Sequence, residues 1–269
     1  VTAPRYALVT GASSGIGEAM AEALARRGYT LLLVSENALE LHRVQERLAR
    51  THPVAVRVIV QDLSLPEAAE TLVRHCRTLD AEVEVLVNCA GDYLVAEREI
   101  EEPAAVASSV TLHVLTPTRL CLLFGRDMLR RGRGYILNVS SISALFPDPA
   151  SVTYGSAKAY LRHFSTVLHC DWKPRGVSVT CVLPGGVRTN LFRNSGVYVP
   201  GFVRRHLLSP RDCAELSLRA LFRGRRELIP GASGTLQAVL FRLIVRPATY
   251  GRIKRLYAVL SRREADRPS

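Results

Sequence analysis

The stretch that decides the fold is Tyr6-Ala7-Leu8-Val9-Thr10-Gly11-Ala12-Ser13-Ser14-Gly15-Ile16-Gly17, an apolar β-rich run that passes into a glycine loop and then into a helical pattern from Gly15 to Arg27. Glycine lets the backbone turn tightly and approach a ligand closely, and the unpaired N–H groups at a helix N-terminus favour an anion such as a pyrophosphate. A glycine cluster alone also fits a plain tight turn. Its place between a strand and a helix makes it a candidate binding loop.

Working outward, further apolar runs at Thr30–Val34, Val54–Val60, Val83–Asn88, Tyr135–Ser140 and Val177–Leu183, with a weaker one at Glu227–Ile229, read as buried strands. Amphipathic stretches at Ala38–Arg50, Pro66–Leu79, Glu99–Arg131, Val152–Lys173 and Pro210–Arg223 read as the helices between them. Ser209 before Pro210 is an N-cap and first-turn signal, and Ser64 stands two residues before Pro66. Strand and helix alternating this regularly predicts a doubly wound α/β fold, a parallel sheet covered on both faces. Such sheets bind ligands beyond the carboxyl ends of their strands, where the Gly11–Gly17 loop falls.

With 269 residues, 48% of them hydrophobic and 22% charged, the chain can close one large core. The net charge of +12 is uneven: residues 1–187 hold 19 basic and 19 acidic side chains, whereas 188–263 hold 16 basic and three acidic. That asymmetry suits an anionic ligand or surface met on one side, and not a protein that coats nucleic acid. The six cysteines stand singly, with no CxxC pair and no histidine at ligand spacing, so no metal site is expected and free, mostly buried thiols point to a reducing compartment. The first residues lack a secretory pattern, and the best apolar run, Leu236 to Val245, is cut by Arg242, which argues against a spanning helix.

The Gly11-x-x-x-Gly15-x-Gly17 spacing resembles that of the short-chain dehydrogenase/reductase family, whose fold is Rossmann-like, and the chain keeps that family's other motifs in register from about Tyr6 to Pro230. Asn88-Cys89-Ala90-Gly91 is similar to its Asn-Asn-Ala-Gly, Tyr154-Gly-Ser-Ala-Lys158 to its Tyr-x-x-x-Lys, and Ser141 stands 13 residues before the tyrosine. Asp62 falls where the family contacts adenine, and Pro184-Gly185-Gly186-Val187-Arg188-Thr189 resembles the turn that holds the nicotinamide. The resemblance implies a NAD or NADP cofactor held by Gly11, Ser13, Ser14, Gly15, Ile16, Gly17, Ser35, Glu36, Asp62, Asn88, Ala90, Gly91, Tyr154, Lys158, Pro184, Gly185, Val187 and Thr189.

The catalytic set makes physical sense beside the resemblance. Tyr154 and Lys158 are four apart on one helix and share a face. A phenol with a pKa near ~10 is a poor proton shuttle at neutral pH, and a neighbouring cation is expected to lower it. Ser141 would hold the substrate oxygen while hydride moves between nicotinamide and carbonyl carbon. Two departures stand out. Cys89 removes a hydrogen-bonding side chain, and His113 occupies the place of the family's catalytic asparagine, which helps to hold a water linking the lysine to solvent. Neutral His113 could take over that role, serve only as a helix residue, or mark a lost activity.

Ser14 and Ser35-Glu36-Asn37 carry no basic residue where NADP-preferring members place one, and a carboxylate suits the free ribose hydroxyl, which favours NAD; Glu36 could instead simply face solvent at a helix start. Between Pro184 and Pro210, Leu191, Phe192, Val197, Tyr198, Val199 and Phe202, ringed by Arg193, Arg204 and Arg205, suit a hydrophobic carbonyl or alcohol substrate with an anionic head, or else pack on the sheet. Residues 1–233 are taken as the binding domain and 234–269 as a basic amphipathic extension. In it Leu236, Val239, Leu240, Leu243 and Ile244 recur at helical spacing, and seven basic and no acidic residues lie from Arg242 to Arg263. That composition suits an anionic bilayer, which would place the chain in the cytoplasm or on a membrane's cytoplasmic face; homo-oligomer contact through the same helix is the competing reading. The expected activity is alcohol–ketone interconversion on a steroid, acyl or other lipid-like substrate. A dinucleotide-binding regulator or membrane-associated interaction module with little turnover is the alternative.

Overall fold

A computed structural model describes residues 4–189, 207–246 and 248–255. Seven strands form one sheet: β1 Tyr6–Thr10, β2 Thr30–Ser35, β3 Val56–Val60, β4 Val83–Asn88, β5 Gly134–Val139, β6 Val177–Val182 and β7 Glu227–Leu228. Their order is β3-β2-β1-β4-β5-β6-β7 and every pairing is parallel, so the doubly wound reading holds. Side chains alternate along each strand, so Ala7 and Val9 pack on one face with Leu31, Leu33, Val85 and Val87, while Tyr6 and Leu8 pack on the other with Leu32, Val34 and Leu86. The first face is covered by α1 Gly15–Ala25, α2 Ala38–Thr51 and the later Pro210–Phe222 helix, and the second by α3 Ala68–Thr78 and the two long helices described next.

The stretch expected as one helix from Glu99 to Arg131 is divided. α4 spans Ala96–Glu101, α5 starts at Pro103 and ends at Val110, a π turn covers Thr111–Leu115, and α6 runs Thr116–Arg131 to a left-handed Gly132. Pro103 has no N–H and must begin a new helix, and the wider π turn rotates His113 into the interior. From Pro103 to Arg131 the run is long and apolar enough to cross a membrane by length and composition, contrary to the expectation that no such run exists. Its inward side chains Leu120, Cys121, Phe124 and Met128 are core residues, which makes it a core helix of this sheet.

α7 Thr153–Trp172 lies beside α6, α8 Pro210–Phe222 returns to the first face, and α9 covers Ala232–Ile244. Ser209 caps α8 as its position indicated, accepting the Asp212 N–H at 3.0 Å. Ser64 does not cap α3: its N–H and hydroxyl both donate to Asp62 Oδ1, and the helix starts only at Ala68. The extension drawn from residue 234 begins inside α9, whose Ala238 is buried against Ile142, Cys181 and Leu183. All six cysteines are free, four of them buried.

Candidate active site

The loops after β1, β2, β3, β4 and β6 meet at the carboxyl edge of the sheet. Thr10 Oγ1 donates to Val87 O at 3.3 Å and accepts the N–H groups of Cys89 and Ala90 at 2.9 and 3.1 Å, tying the glycine loop to the Asn88–Gly91 turn. Gly11, at φ +64°, lies so close to that turn that a Cβ would sit 2.8 Å from Ala90 Cα, and a Cβ on Gly17 would stand 2.1 Å from Gly11 O. Gly15, at φ +59°, faces Thr189, whose Cγ2 would be 3.1 Å from a Cβ. Ser35 Oγ donates to Ser13 Oγ at 2.9 Å, joining the end of β2 to the same loop. Exposed Ser14 is the N-cap residue of α1, and Ile16 in its first turn is half-buried.

Glu36 is exposed, directly after β2, while the adjacent Asn37 caps α2 through the Glu40 N–H at 3.1 Å. Pro184 O accepts the Ile142 N–H at 3.0 Å, Gly185 approaches Gln237 and Gly234 of α9, and Val187 bridges to Leu208. The Thr189 N–H donates to Val187 O at 2.8 Å. These residues fit a dinucleotide as a cradle: the glycines let the loop turn tightly and pack against the Asn88–Gly91 turn at a helix N-terminus, with the hydroxyls of Ser13 and Ser35 beside it. The apolar stretch with Leu191, Phe192, Val197, Tyr198, Val199, Phe202, Arg193, Arg204 and Arg205 lies outside the described residues. Among the described residues no cluster of His, Cys, Asp and Glu could hold a metal.

Ser141, Tyr154 and Lys158 come together beside this cradle. Lys158 Nζ is 5.4 Å from the centre of the Tyr154 ring and donates to Val139 O at 3.0 Å, while Ser140 Oγ donates to Lys158 O at 2.8 Å and binds α7 to the end of β5. Ser141 accepts the Ser143 N–H at 3.1 Å and shares a hydrogen bond with Tyr154. Desolvation pushes the Tyr154 phenol well up, opposed by the Ser141 hydrogen bond and reinforced by Asp148, Cys89 and Asp92. Burial also pushes the Lys158 ammonium down, to about 8. This differs from the expectation of a phenol lowered by its lysine: burial is the largest influence on the phenol, and burial also disfavours the charge of Lys158.

His113 reaches the site from the π turn. Its ring meets Tyr154 edge-on, with centroids 5.5 Å apart, and its Nε2 lies 2.8 Å from Asp92 Oδ1. Burial and the nearby Lys158 push its pKa down, opposed by Asp92, which favours the neutral ring. A Cβ on Gly91 would stand 2.6 Å from His113 Cε1, which fits a glycine at that turn. Behind it, Asn88 Nδ2 donates to Asn138 Oδ1 at 2.8 Å and Asn138 Nδ2 to Ser165 Oγ at 2.9 Å. Cys89, next to Asn88, has its thiol pushed up to about 12 by burial and offers no thiolate at neutral pH.

Sequence reasoning gave no role to Thr10, Asp92, Tyr93 or Glu99. Thr10 closes the quoted loop and Asp92 follows the Asn88–Gly91 motif, so adjacency was the available signal. The Tyr93 ring packs 4.7 Å from that of Tyr154 and its hydroxyl donates to Asp148 Oδ2 at 3.4 Å, and Glu99 grips the start of α7 from 54 residues away; neither has a local signature.

Comparison with known proteins bears on the family and the fold. The short chain dehydrogenase family model matches residues 5–197. The very-long-chain 3-oxoacyl-CoA reductase of Mus musculus is 34% identical over 190 residues, covering 69% of this chain and 60% of the relative. The chain thus spans about three fifths of the length of such relatives. A short-chain dehydrogenase from Sphingobium yanoikuyae in complex with NADPH superposes with a TM-score of 0.78 at 27% identity, covering 88% of this chain and 94% of that one. The bulky-bulky ketone specific alcohol dehydrogenase from Comamonas testosteroni gives 0.74 at 26% identity, with 90% and 93% covered. With its glycine cradle, its Ser141, Tyr154 and Lys158 in register and a matching family model over more than half its length, the chain belongs to the short chain dehydrogenase family.

Proposed function

We propose that the protein is a NAD(P)-dependent ketoreductase acting on a hydrophobic, lipid-like carbonyl, with a long-chain 3-oxoacyl thioester as the leading substrate class. The observation that carries this reading is the assembly of Ser141, Tyr154 and Lys158 beside the glycine cradle. The bound dinucleotide supplies the hydride; the protein supplies the rest. The hydroxyls of Ser141 and Tyr154 converge to hold the carbonyl oxygen, and Tyr154 donates the proton that oxygen needs as the alcohol forms. The phenol is protonated at neutral pH, the form that this direction uses, while its burial makes it a weaker acid, so donation depends on stabilising the phenolate. Lys158 stands beside the ring to stabilise the phenolate left behind.

The substrate class is supported by aromatic packing near the site, Tyr93 on Tyr154 and Phe146 on Phe241, and by the relatives named as very-long-chain 3-oxoacyl-CoA reductases. Cofactor choice rests on Glu36, whose charge suits the free ribose of NAD, set against a structural neighbour solved with NADPH. Association with an anionic membrane is supported by α9, where Leu236, Val239, Leu240, Leu243 and Ile244 are exposed beside Arg242 and Arg246.

The test is NAD(P)H oxidation over ketones of rising chain length, 3-oxoacyl thioesters and steroid ketones, with cofactor binding measured in parallel. Turnover that improves with acyl length supports the reading. Cofactor binding without turnover of any ketone overturns it in favour of a dinucleotide-binding regulator, which the assembly of Ser141, Tyr154 and Lys158 argues against.

A further inference from the structure

A small cavity of about 10 Å³, at the lower limit for holding one water, lies between β4, the π turn and α7, with Thr10, Asn88, His113 and Lys158 in its wall. Two buried acceptors in that wall have no protein partner, Asn88 Oδ1 and His113 Nδ1. The Asn88 amide is committed on its nitrogen side to Asn138 and Cys121. An ammonium has three N–H donors, and the one resolved contact of Lys158 Nζ is to Val139 O. One water accepting from Lys158 and donating to Asn88 Oδ1 and His113 Nδ1 would close this account, provided that Nδ1 carries no proton.

The state of Nδ1 is decided 21 residues away. His113 Nε2 lies 2.8 Å from Asp92 Oδ1 and 3.1 Å from Asp92 O, and Asp92 Oδ1 also accepts the Ser109 hydroxyl at 2.9 Å. The Asp92 N–H approaches the same nitrogen at 3.3 Å, which would suit the opposite tautomer. The carboxylate prevails, because its contact is shorter and charge-assisted. The opposite tautomer would set the Nε2 lone pair against the carboxylate and aim an N–H donor at a cavity already facing the lysine's donors. The ionisable groups around the ring are Asp92 after β4, and Lys158 and Tyr154 on α7, with Cys89 coupled to Lys158.

We infer that Asp92 is a positioning residue of this site: by taking the Nε2–H it fixes the tautomer of His113, so that Nδ1 and Asn88 Oδ1 together hold a single buried water on Lys158. The inference rests on the ketoreductase reading only for its effect on turnover. Its atoms are those of the protein alone.

The test is the tautomer of His113, read from its ring ¹⁵N chemical shifts in the cofactor-free wild-type protein and assigned by loss of the signal in His113→Asn. The expected result is a protonated Nε2 and an unprotonated Nδ1; the reverse overturns the inference. Asp92→Asn keeps an acceptor oxygen but loses the charge, so it should shift the tautomer balance only part of the way and lower kcat less than Asp92→Ala, whereas Asp92→Ala should mix the tautomers and lower kcat about tenfold, the loss of one buried hydrogen bond, without raising KM for the cofactor. In the His113→Asn background Asp92→Ala should change kcat less than about twofold, and an equal loss in both backgrounds overturns the role. If Asp92→Ala does not fold, the wild-type and Asp92→Asn shifts still decide. A wild type that turns over no ketone speaks against the proposed activity, while the tautomer measurement stands apart from it.

Discussion

Replacing Glu99 with Gln should loosen the start of the helix that carries Tyr154 and Lys158. Val152, the N-cap residue of α7, makes no side-chain cap, and the carboxylate of Glu99 does that work from α4. Its oxygens accept the Ser151 hydroxyl at 2.7 Å, the Val152 N–H at 2.7 Å, the Thr153 N–H at 2.9 Å and the Thr153 hydroxyl. Gln keeps one acceptor oxygen and turns an NH₂ donor towards groups that donate. A hydrogen bond to a charged group contributes ~1.5–3 kcal/mol, and partial exposure of Glu99 reduces the expected loss to ~1–2 kcal/mol. At roughly 2–4 °C per kcal/mol for a domain of this size, Tm should fall by roughly 2–8 °C at pH 7. Burial alone would raise the Glu99 carboxyl, but the hydrogen bonds from Thr153, Ser151 and the Val152 and Thr153 amides hold it below the usual carboxylate range. A depressed folded pKa gives stability that is complete above the unfolded value near ~4.3 and is lost as pH falls through the folded one. Thermal unfolding followed by circular dichroism at pH 7 and below pH ~4 should therefore show a gap between wild type and Glu99→Gln that closes in acid. A gap of equal size at both pH values, or none at pH 7, refutes the cap.

Tyr154→Phe should leave cofactor affinity within about twofold and reduce ketone turnover below about a tenth, because only the transferable proton is removed; higher residual activity in steady-state assays would take Tyr154 out of the acid role. Lys158→Met should remove a pH-dependent stability increment: between the folded value of about 8 and the unfolded 10.5 the unfolded chain holds a proton that the folded chain has released, so stability rises with pH in wild type relative to the variant, as denaturant titrations at pH 7.5 and 10 would show. Glu36→Arg should shift the ratio of NADPH to NADH affinity by about tenfold or more, and an unchanged ratio would mean that the side chain does not meet the ribose. Because α9 is built into the fold through Ala238, charge removal tests the membrane better than truncation. Changing Arg242, Arg246, Arg252, Lys254 and Arg255 to Gln should weaken sedimentation with phosphatidylserine vesicles, and equal partitioning would sink the membrane proposal.

The parts of the molecule legible in the sequence are those written locally. β1 and the glycine loop could be placed because a buried parallel strand is a short apolar run and because Gly11 and Gly15 stand where φ is positive. Ser141, Tyr154 and Lys158 could be placed because they resemble a family motif, a serine 13 residues before Tyr-x-x-x-Lys, whose tyrosine and lysine share one helical turn. What could not be read is what acts across distance. Asp92 meets His113 across 21 residues and Glu99 meets Thr153 across 54, through turns that no periodicity announces. The helix expected from Glu99 to Arg131 failed at Pro103 and at the π turn because its apolar spacing continues through both breaks. The expected direction of the Tyr154 shift failed for a related reason: a pairwise argument sees the neighbouring cation and does not see that both partners lose water together.

The same site concentrates the unfavourable choices in a structure that is otherwise consistent. A lysine is buried with one resolved acceptor, a phenol is desolvated beside it, and two amide and imidazole acceptors lie unpaired in the adjoining wall. Each arrangement works against stability when taken alone. They stay in place because rigid parts of the fold hold them: β5 accepts from Lys158 and reaches α7 through Ser140, Thr10 locks the Asn88 turn to the glycine loop, and the π turn presents His113 where an unbroken α-helix would not. Under the proposed roles of Tyr154 and Lys158, functional need accounts for retaining these arrangements, since a proton donor kept from bulk water must be joined to a group that can stabilise its anion. The asparagine missing from the expected place therefore need not signal a lost activity. The histidine that takes its place meets a carboxylate, Asp92, and is presented to the site by the π turn.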